Sequence, residues 1–436
     1  MTKIKLTKWQ GLAGAAVLAL GAWFLFNSMH HSPLFPGMKV ARYRYRILPQ
    51  PPVDQTLAPL ERRTQIPRPS ALDLAELATL YYQQGHLSGD LTWYDKAEEA
   101  AKHSLQILSY PNGNAKMTLA KIADAKHEFP DAIRIATEVL TQYHSPGSVA
   151  VLISSNLALG QLKEAARYAD LAVDTKPEMG AYLMRALVLS AQGRDQEAAF
   201  DFQRAATVED IGTLAESSRL RALWGRFLVA HGDYRDARDL YEEALRIVPG
   251  NHLALALYGE MELRLGHYAR AQKLLMDAFT ASKQMRYLVH YARARQLAGD
   301  ESGAAETQAL AEKLIREELG TGKFGHRLEL VELLLDRGHP ADVQEAVTLA
   351  QKEITVRRSA EAYYFLSKAL WQAKRPEEAR EPIREAIRTG VNDPRYFALA
   401  ALVEQTCGNR PHAGLYHTLA MKFAPGVSVD ADGLAG

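Results

Sequence analysis

From about Ser70 to Pro425 apolar residues recur at three- and four-residue intervals, the period of amphipathic helices, and no stretch reads as a sheet. Glycines break the pattern at regular places. Gly160, Gly193, Gly232, Gly266, Gly299, Gly338 and Gly408 each follow an apolar helix and precede a polar one, at spacings of 33, 39, 34, 33, 39 and 70 residues. The last spacing holds two units, with Lys374 in the intervening turn. A residue there must end a helix in the left-handed conformation, which glycine adopts at least cost. Trp224–Pro249 is the clearest unit: two helices join at His231-Gly232-Asp233, and Pro249 ends the second. Gly225, Ala237 and Ala244 are small where two helices must cross, and Tyr241 lies one turn beyond Ala237, filling the space beside the crossing.

The same landmarks recur through ten units. Leu77-Ala78 with Ala97 and Ala101 marks the first, and Ala132 with Ala136 the second. Gly160 with Ala165 and Ala169, then Gly193 with Ala198 and Phe202, mark the next two, and Gly408 with Ala413 and Ala420 marks the last. Short interruptions are expected at His86–Thr92, Ile211–Ser217 and Glu318–Lys323. This arrangement resembles the tetratricopeptide repeat (TPR), a 34-residue helix–turn–helix unit with Leu-Gly, Ala-x-x-x-Phe and Pro landmarks. Trp224 and Leu228 depart from it, standing in the usual Leu and Tyr slots. The resemblance implies an all-α fold, a TPR-type right-handed helical solenoid of about ten units over residues 70–426, with a flexible tail at 427–436. It also implies a concave groove, lined mainly by each first helix, that receives peptides or protein segments.

The N-terminal pattern is different. Lys3, Lys5 and Lys8 precede an apolar run from Trp9 to about Met29, with no charge between Gly11 and Phe26. About 20 apolar residues span a bilayer, and about 17 is the lower limit. Residues 1–30 are therefore read as one N-terminal transmembrane helix. Trp9 and Trp23 suit headgroup regions. Gly11, Ala15 and Ala19 form a small-residue stripe that would seat another helix, or serve only as a generic Ala-rich span. A cleaved signal peptide is the rival reading; the bulky Trp23-Phe24-Leu25-Phe26 end and the lack of an Ala-x-Ala site oppose it. Residues 31–69 are expected to be a Pro-rich extended linker, a stalk, since the segment around it holds eight of the 19 prolines. Within it Arg42-Tyr43-Arg44-Tyr45-Arg46-Ile47 alternates. Arginines on one face and aromatic or apolar groups on the other suit contact with a partner's sheet edge or anionic headgroups, or else a solvated linker.

Composition narrows the function. A net charge of +1 offers no basic excess, so nucleic acid is not an expected partner. The single cysteine, Cys407, excludes a disulfide framework or a Cys-rich zinc site and reads as a buried small residue. No His-Glu-x-x-His, Gly-x-Ser-x-Gly, Walker or Gly-x-Gly-x-x-Gly motif occurs, so no catalysis, metal or cofactor is expected. His231 and His267, beside turn glycines, read as solvated or capping residues. The resemblance implies which side chains face the groove: Arg219, Arg226, Glu260, Arg264, Arg286, His290, Arg293, Tyr364, Lys368 and Trp371. The arginines would form a band for carboxylates or phosphates, hence acidic protein or peptide partners, with Tyr364 and Trp371 as an apolar hot spot. Ordinary surface or packing between units is the alternative for each.

Lysines before the span favour a cytoplasmic N-terminus, although Lys39, Arg42, Arg44 and Arg46 follow it closely. The expectation is a non-catalytic, single-pass scaffold of the inner (plasma) membrane, its body periplasmic, that helps assemble an envelope complex, with the lipid bilayer and a multi-span membrane protein among its contacts. The alternatives are a cytoplasm-facing adaptor that recruits an enzyme or protease, and an accessory subunit of a membrane enzyme complex.

Overall fold

The structure, a computed structural model, describes residues 35, 40–48, 53–143, 147–321 and 325–424. The chain divides into two units, Met1–Val40 and Ala41–Gly436; residues 35 and 40 are the described part of the first. The expected anchor, with Trp9, Gly11, Ala15, Ala19 and Trp23, and the tail at 427–436 lie outside the described residues. Among the described residues no helix is long and apolar enough to cross a membrane.

Among the described residues the second unit contains 21 helices and no strand. After a leading helix, Val53–Thr64, come ten helix pairs. Units 1 to 5 are Ala71–Ser88 with Thr92–Ile107, Gly113–Ala125 with Phe129–Tyr143, Gly147–Ala158 with Leu162–Thr175, Met179–Ala191 with Asp195–Thr207, and Leu214–Ala230 with Tyr234–Ile247. Units 6 to 10 are His252–Arg264 with Tyr268–Ser282, Met285–Leu297 with Glu301–Thr321, Arg327–Arg337 with Pro340–Val356, Ala360–Gln372 with Pro376–Arg388, and Pro394–Thr406 with Arg410–Phe423. The interruptions are shorter than expected. The first helix of unit 5 already begins at Leu214, and the second helix of unit 7 runs through Glu318 to Thr321.

Unit 5 shows how small residues set the packing. A Cβ built on Gly225 would lie 2.6 Å from Tyr241 Cε1, so only glycine lets the two helices close over that ring. Trp224 and Tyr241 are fully buried there, and Phe202 of unit 4 stacks on Trp224 at 6.0 Å between ring centroids. Asp233 accepts the Asp236 N–H, which satisfies one of the open donors at the helix start. The turn position is left-handed in every glycine-punctuated unit. His127 and Lys374 take it without glycine, at φ of 62° and 61°.

The segment expected to be an extended stalk does two things instead. Val53–Thr64 is a helix despite Pro59. Leu57 and Leu60 are buried in a cluster with Ala75, Leu77, Ala78 and Tyr81, and Tyr81 Oη donates to Glu61 Oε1 at 2.7 Å. Burying two leucines is worth roughly 1.5–3 kcal/mol each, enough to offset one proline. This helix covers the open face of unit 1.

Residues 41–48 form a strap on the junction of units 4 and 5. Tyr43 is buried with Leu214 and Ile247, and Tyr45 and Ile47 pack beside them. The Tyr43 N–H donates to Glu243 Oε1 at 2.8 Å, Arg44 Nη2 to the Thr207 carbonyl at 2.7 Å, and Tyr45 Oη to the Glu209 carbonyl at 3.0 Å. Beneath lies a fully buried ion pair: Arg221 Nη1 meets Glu209 Oε1 at 2.7 Å, and Arg221 Nε donates to the Ala41 carbonyl at 3.0 Å. The two-faced alternation therefore holds, with Arg42, Arg44 and Arg46 outward. The partner face is the chain's own helices rather than a sheet edge or a membrane.

The array curls far enough that turns of units 1 to 5 rest on connections of units 6 to 10. His127 Nδ1 lies 3.4 Å from the Gly325 carbonyl, 198 residues away, and Asn392 Nδ2 donates to Asp195 Oδ2 at 2.5 Å, 197 residues away. Gly160 approaches the Arg358 carbonyl, and Gly193 the Gly390 carbonyl, so closely that neither has room for a Cβ. His231 packs edge-on against Phe423 at 5.9 Å between ring centroids. Two windings of five units each thus meet along one seam.

Candidate functional site

The inner face of the two windings is built from first helices, as the resemblance implies, but its charges are arranged otherwise than expected. Arg286, His290 and Arg293 lie at i, i+4 and i+7 on one face of the first helix of unit 7. Glu329, Glu332 and Asp336 lie at i, i+3 and i+7 on the first helix of unit 8. The two stripes face each other. Arg293 Nη1 meets Asp336 Oδ1 at 3.0 Å, and Lys368 of unit 9 reaches the same oxygen at 4.0 Å. His290 Nδ1 lies 3.0 Å from Glu260 Oε1 of unit 6, and its Nε2 lies 3.4 Å from Glu332 Oε1. Arg286 faces Glu260 at 3.8 Å and Glu361 at 3.7 Å.

The expected basic band is therefore largely spent within the chain. Arg286, His290, Arg293 and Lys368 carry carboxylate neighbours from adjoining units, because an unpaired cation in a confined face is costly. Burial works against the charged forms, but the mutual pairing wins. Glu260 is held down to about 2, and His290 is pushed up to about 10 by Glu260 and Glu332.

The expected apolar hot spot is also occupied. Tyr364 is buried and stacks on Tyr396 of unit 10 at 5.0 Å, and half-buried Trp371 donates from Nε1 to Thr406 Oγ1 at 3.3 Å. Both groups join unit 9 to unit 10.

Arg219, Arg226 and Arg264 remain. Among the described residues none of them has an ion-pair partner. Confinement inside the curl pushes the Arg219 and Arg226 guanidinium groups below their ordinary value, and the neighbouring Arg286 charge adds to this at Arg226. Both stay cationic at neutral pH, since arginine does not deprotonate there. Arg226 is nonetheless open to water at its surface, whereas Arg219 and Arg264 are half-buried. Arg264 lies in electrostatic reach of Asp393, which Arg395 already pairs at 2.6 Å.

In electrostatic reach of Arg219 and Arg226 are residues that line a cavity of about 400 Å³. Units 1 and 2 supply Tyr82, Tyr94 and Asp124 to its wall, and units 7 to 9 supply Arg286, Glu329, Glu332, Glu361 and Phe365. Asp124 accepts hydrogen bonds from Ser154 Oγ at 2.8 Å and Ser155 Oγ at 2.5 Å. Burial raises its carboxyl despite both bonds. Glu329 is held down to about 2 by His326, which overcomes burial. These acidic residues were not anticipated as site residues. Their signal was present: a Glu329-Glu332-Asp336 stripe complements Arg286-His290-Arg293 one unit earlier.

Other readings change as well. His231 is buried, with Nε2 3.0 Å from Asp195 Oδ2 and Nδ1 2.7 Å from the Phe227 carbonyl. The seam covers it, so it is not a solvated turn residue. His267 is exposed and pairs with Glu262 at 2.6 Å. Cys407 is half-buried rather than buried, and burial raises its thiol. Among the described residues no group of histidines, cysteines and carboxylates is arranged to hold a metal ion.

Two tetratricopeptide-repeat family models match the chain, one over residues 228–287 and one over residues 328–394. These stretches cover parts of units 5 to 7 and units 8 to 10, and the chain carries tetratricopeptide repeats in an all-helical solenoid. Solved structures similar to it include a thermophilic TPR protein of Thermus thermophilus, at 18% identity over 44% of this chain and 100% of that one, with a TM-score of 0.39. They also include the human IFIT1 dimer with PPP-AAAA, at 16% identity over 85% and 95% and a TM-score of 0.47. The human IFIT1 dimer with m7Gppp-AAAA is similar at 17% identity over 86% of both chains, with a TM-score of 0.48. No curated protein matches.

Proposed function

We propose that the chain is a non-catalytic interaction scaffold that takes a segment of a partner protein into the curl of its repeats. The observation that carries this is the inner face. Arg219, Arg226 and the cavity carboxylates present charge there that the packing of the units leaves open to a ligand, while the apolar residues are consumed between units. Repeat arrays of this kind typically bind proteins or peptides on their concave side. The apolar run from Trp9 to Met29 supports a tether in the inner membrane, and the basic leader before it supports a periplasmic body that helps assemble an envelope complex.

Two measurements test this. Alkaline phosphatase fused after Gly436 is expected to be active, and a fluorescent protein at the same place dark; the reverse pattern would move the body to the cytoplasm and select the adaptor reading. Purification of the full chain in mild non-ionic detergent is expected to bring a stoichiometric partner that Arg226→Glu releases without loss of helicity. Retention of that partner by the variant would remove the inner face from its binding.

A further inference from the structure

The cavity at the seam has an excess of negative charge. Five carboxylates line it, Asp124, Glu318, Glu329, Glu332 and Glu361, against Lys283, Arg286, Arg357 and the His326 imidazole, whose pKa the neighbouring Glu329 and Glu318 raise against burial. One of those cations is already committed elsewhere: Arg357 Nε holds Glu353 Oε1 at 2.8 Å, outside the cavity. Three of the carboxylates have only distant charged neighbours. Glu332 meets His290 at 3.4 Å, Glu329 meets His326 at 3.7 Å, and Glu361 meets Arg286 at 3.7 Å. Charge-assisted hydrogen bonds are shorter, about 2.7–2.9 Å, so these contacts leave acceptor capacity on each group. The opposite wall is aromatic. Tyr82 and Tyr94 lie 5.7 Å apart between centroids, and the Lys121 ammonium already sits 5.5 Å from the Tyr82 ring. Aromatic faces and unsaturated carboxylates around one space favour a cation. The volume falls within the ordinary range of ligand sites, about 300–1,000 Å³.

We infer that this cavity receives a lysine or arginine side chain carried on an extended segment of a partner protein. The inference rests on the scaffold reading and gives it a chemistry opposite to the acidic partner that a basic groove would select. Arg226 and Arg219, on the neighbouring inner face, then meet acidic or carbonyl groups of the same segment, so the segment bears mixed charge with its cation at the seam.

The test uses the full chain in non-ionic detergent and fluorescein-labelled hexalysine, with hexaglutamate as the opposite probe, read by fluorescence anisotropy. Glu329→Gln with Glu361→Gln is expected to weaken hexalysine binding at least tenfold. Glu76→Gln with Glu99→Gln, two exposed carboxylates of unit 1, is expected to change it less than twofold. Equal losses in the two double variants, or tighter binding of hexaglutamate, would overturn the inference. Spermidine binding as tightly as hexalysine would reassign the cavity to a free polyamine and overturn the segment reading. If the Glu329/Glu361 variant does not fold, a photo-crosslinking amino acid at Phe365 in the otherwise unchanged chain replaces it. Hexalysine adducts at that position support the site, and their absence rejects it. Failure here with partner release still caused by Arg226→Glu rejects the cation site alone and leaves the scaffold standing.

Discussion

Gly160 and Gly299 provide a controlled measurement of the seam. Both occupy the left-handed turn position, at φ of 75° and 85°. A Cβ at Gly299 meets nothing within 4 Å, whereas a Cβ at Gly160 runs into the Arg358 carbonyl and lies 3.3 Å from the Ser359 nitrogen. Gly299→Ala therefore reports backbone strain alone, about 1–2 kcal/mol for a left-handed residue with a side chain. Gly160→Ala adds a collision with backbone that cannot rotate away, comparable to overpacking a core at about 1–3 kcal/mol more. The cheapest relief is to separate the windings. Thermal unfolding followed by circular dichroism is expected to place Gly160→Ala below Gly299→Ala. Small-angle scattering is expected to show a larger radius of gyration for Gly160→Ala only, with helicity unchanged. Gly193→Ala, which drives a Cβ into the Gly390 carbonyl, should behave like Gly160→Ala. Equal melting temperatures and identical scattering for Gly160→Ala and Gly299→Ala would refute the stacked windings.

Arg221→Leu should cost about 3–5 kcal/mol, because it leaves the fully buried Glu209 carboxylate without its partner. It should also release residues 41–48 to limited proteolysis, and replacing Glu209 with leucine in the same chain should restore part of the stability. Gly225→Ala gains about 1 kcal/mol of helix propensity but forces Tyr241 to move, so it should lower the melting temperature while Gly180→Ala, with open space around it, raises or preserves it. Stability should depend on pH through His290. Its pKa rises from 6.5 to about 10 on folding, so its contribution is fully present below about pH 6.5 and lost as pH climbs through 10. Glu260 is depressed to about 2, so its contribution is present above the ordinary carboxylate range and lost as pH falls through 2. Melting temperatures across this range should lose the alkaline slope in His290→Gln, and an unchanged slope would show that another group carries it.

The parts of the fold that were legible in the sequence are the ones set by neighbours a few residues apart. Helix period, turn glycines and the Gly225–Tyr241 crossing depend on local spacing, and all ten units stand where that spacing placed them. The Arg42–Ile47 alternation also gave the right two faces, because period two needs only an extended backbone. What the strap rests on was not legible, since Glu243 lies 200 residues from Tyr43. The seam depends on the accumulated rotation of five units, which no single unit encodes, so a glycine such as Gly160 reads as a turn residue and not as a contact. For the site, the partners of the expected cations were not legible. Arg293 finds Asp336 43 residues later, and judging a cation by its own helix ignores the stripe that neutralises it.

The seam also changes how the array should come apart. In an open repeat array each unit touches only its neighbours, so the ends fray first and unfolding spreads inward. Here the second helix of unit 10 ends at Phe423, which stacks on Phe397 of its own unit and abuts His231 of unit 5. Loosening unit 10 therefore uncovers unit 5, so the two are coupled. The same link lengthens the path into the native state. Contacts almost 200 residues apart must close after both windings exist, so seam formation belongs at the end of folding, when loop-closure entropy has already been met by the intervening units.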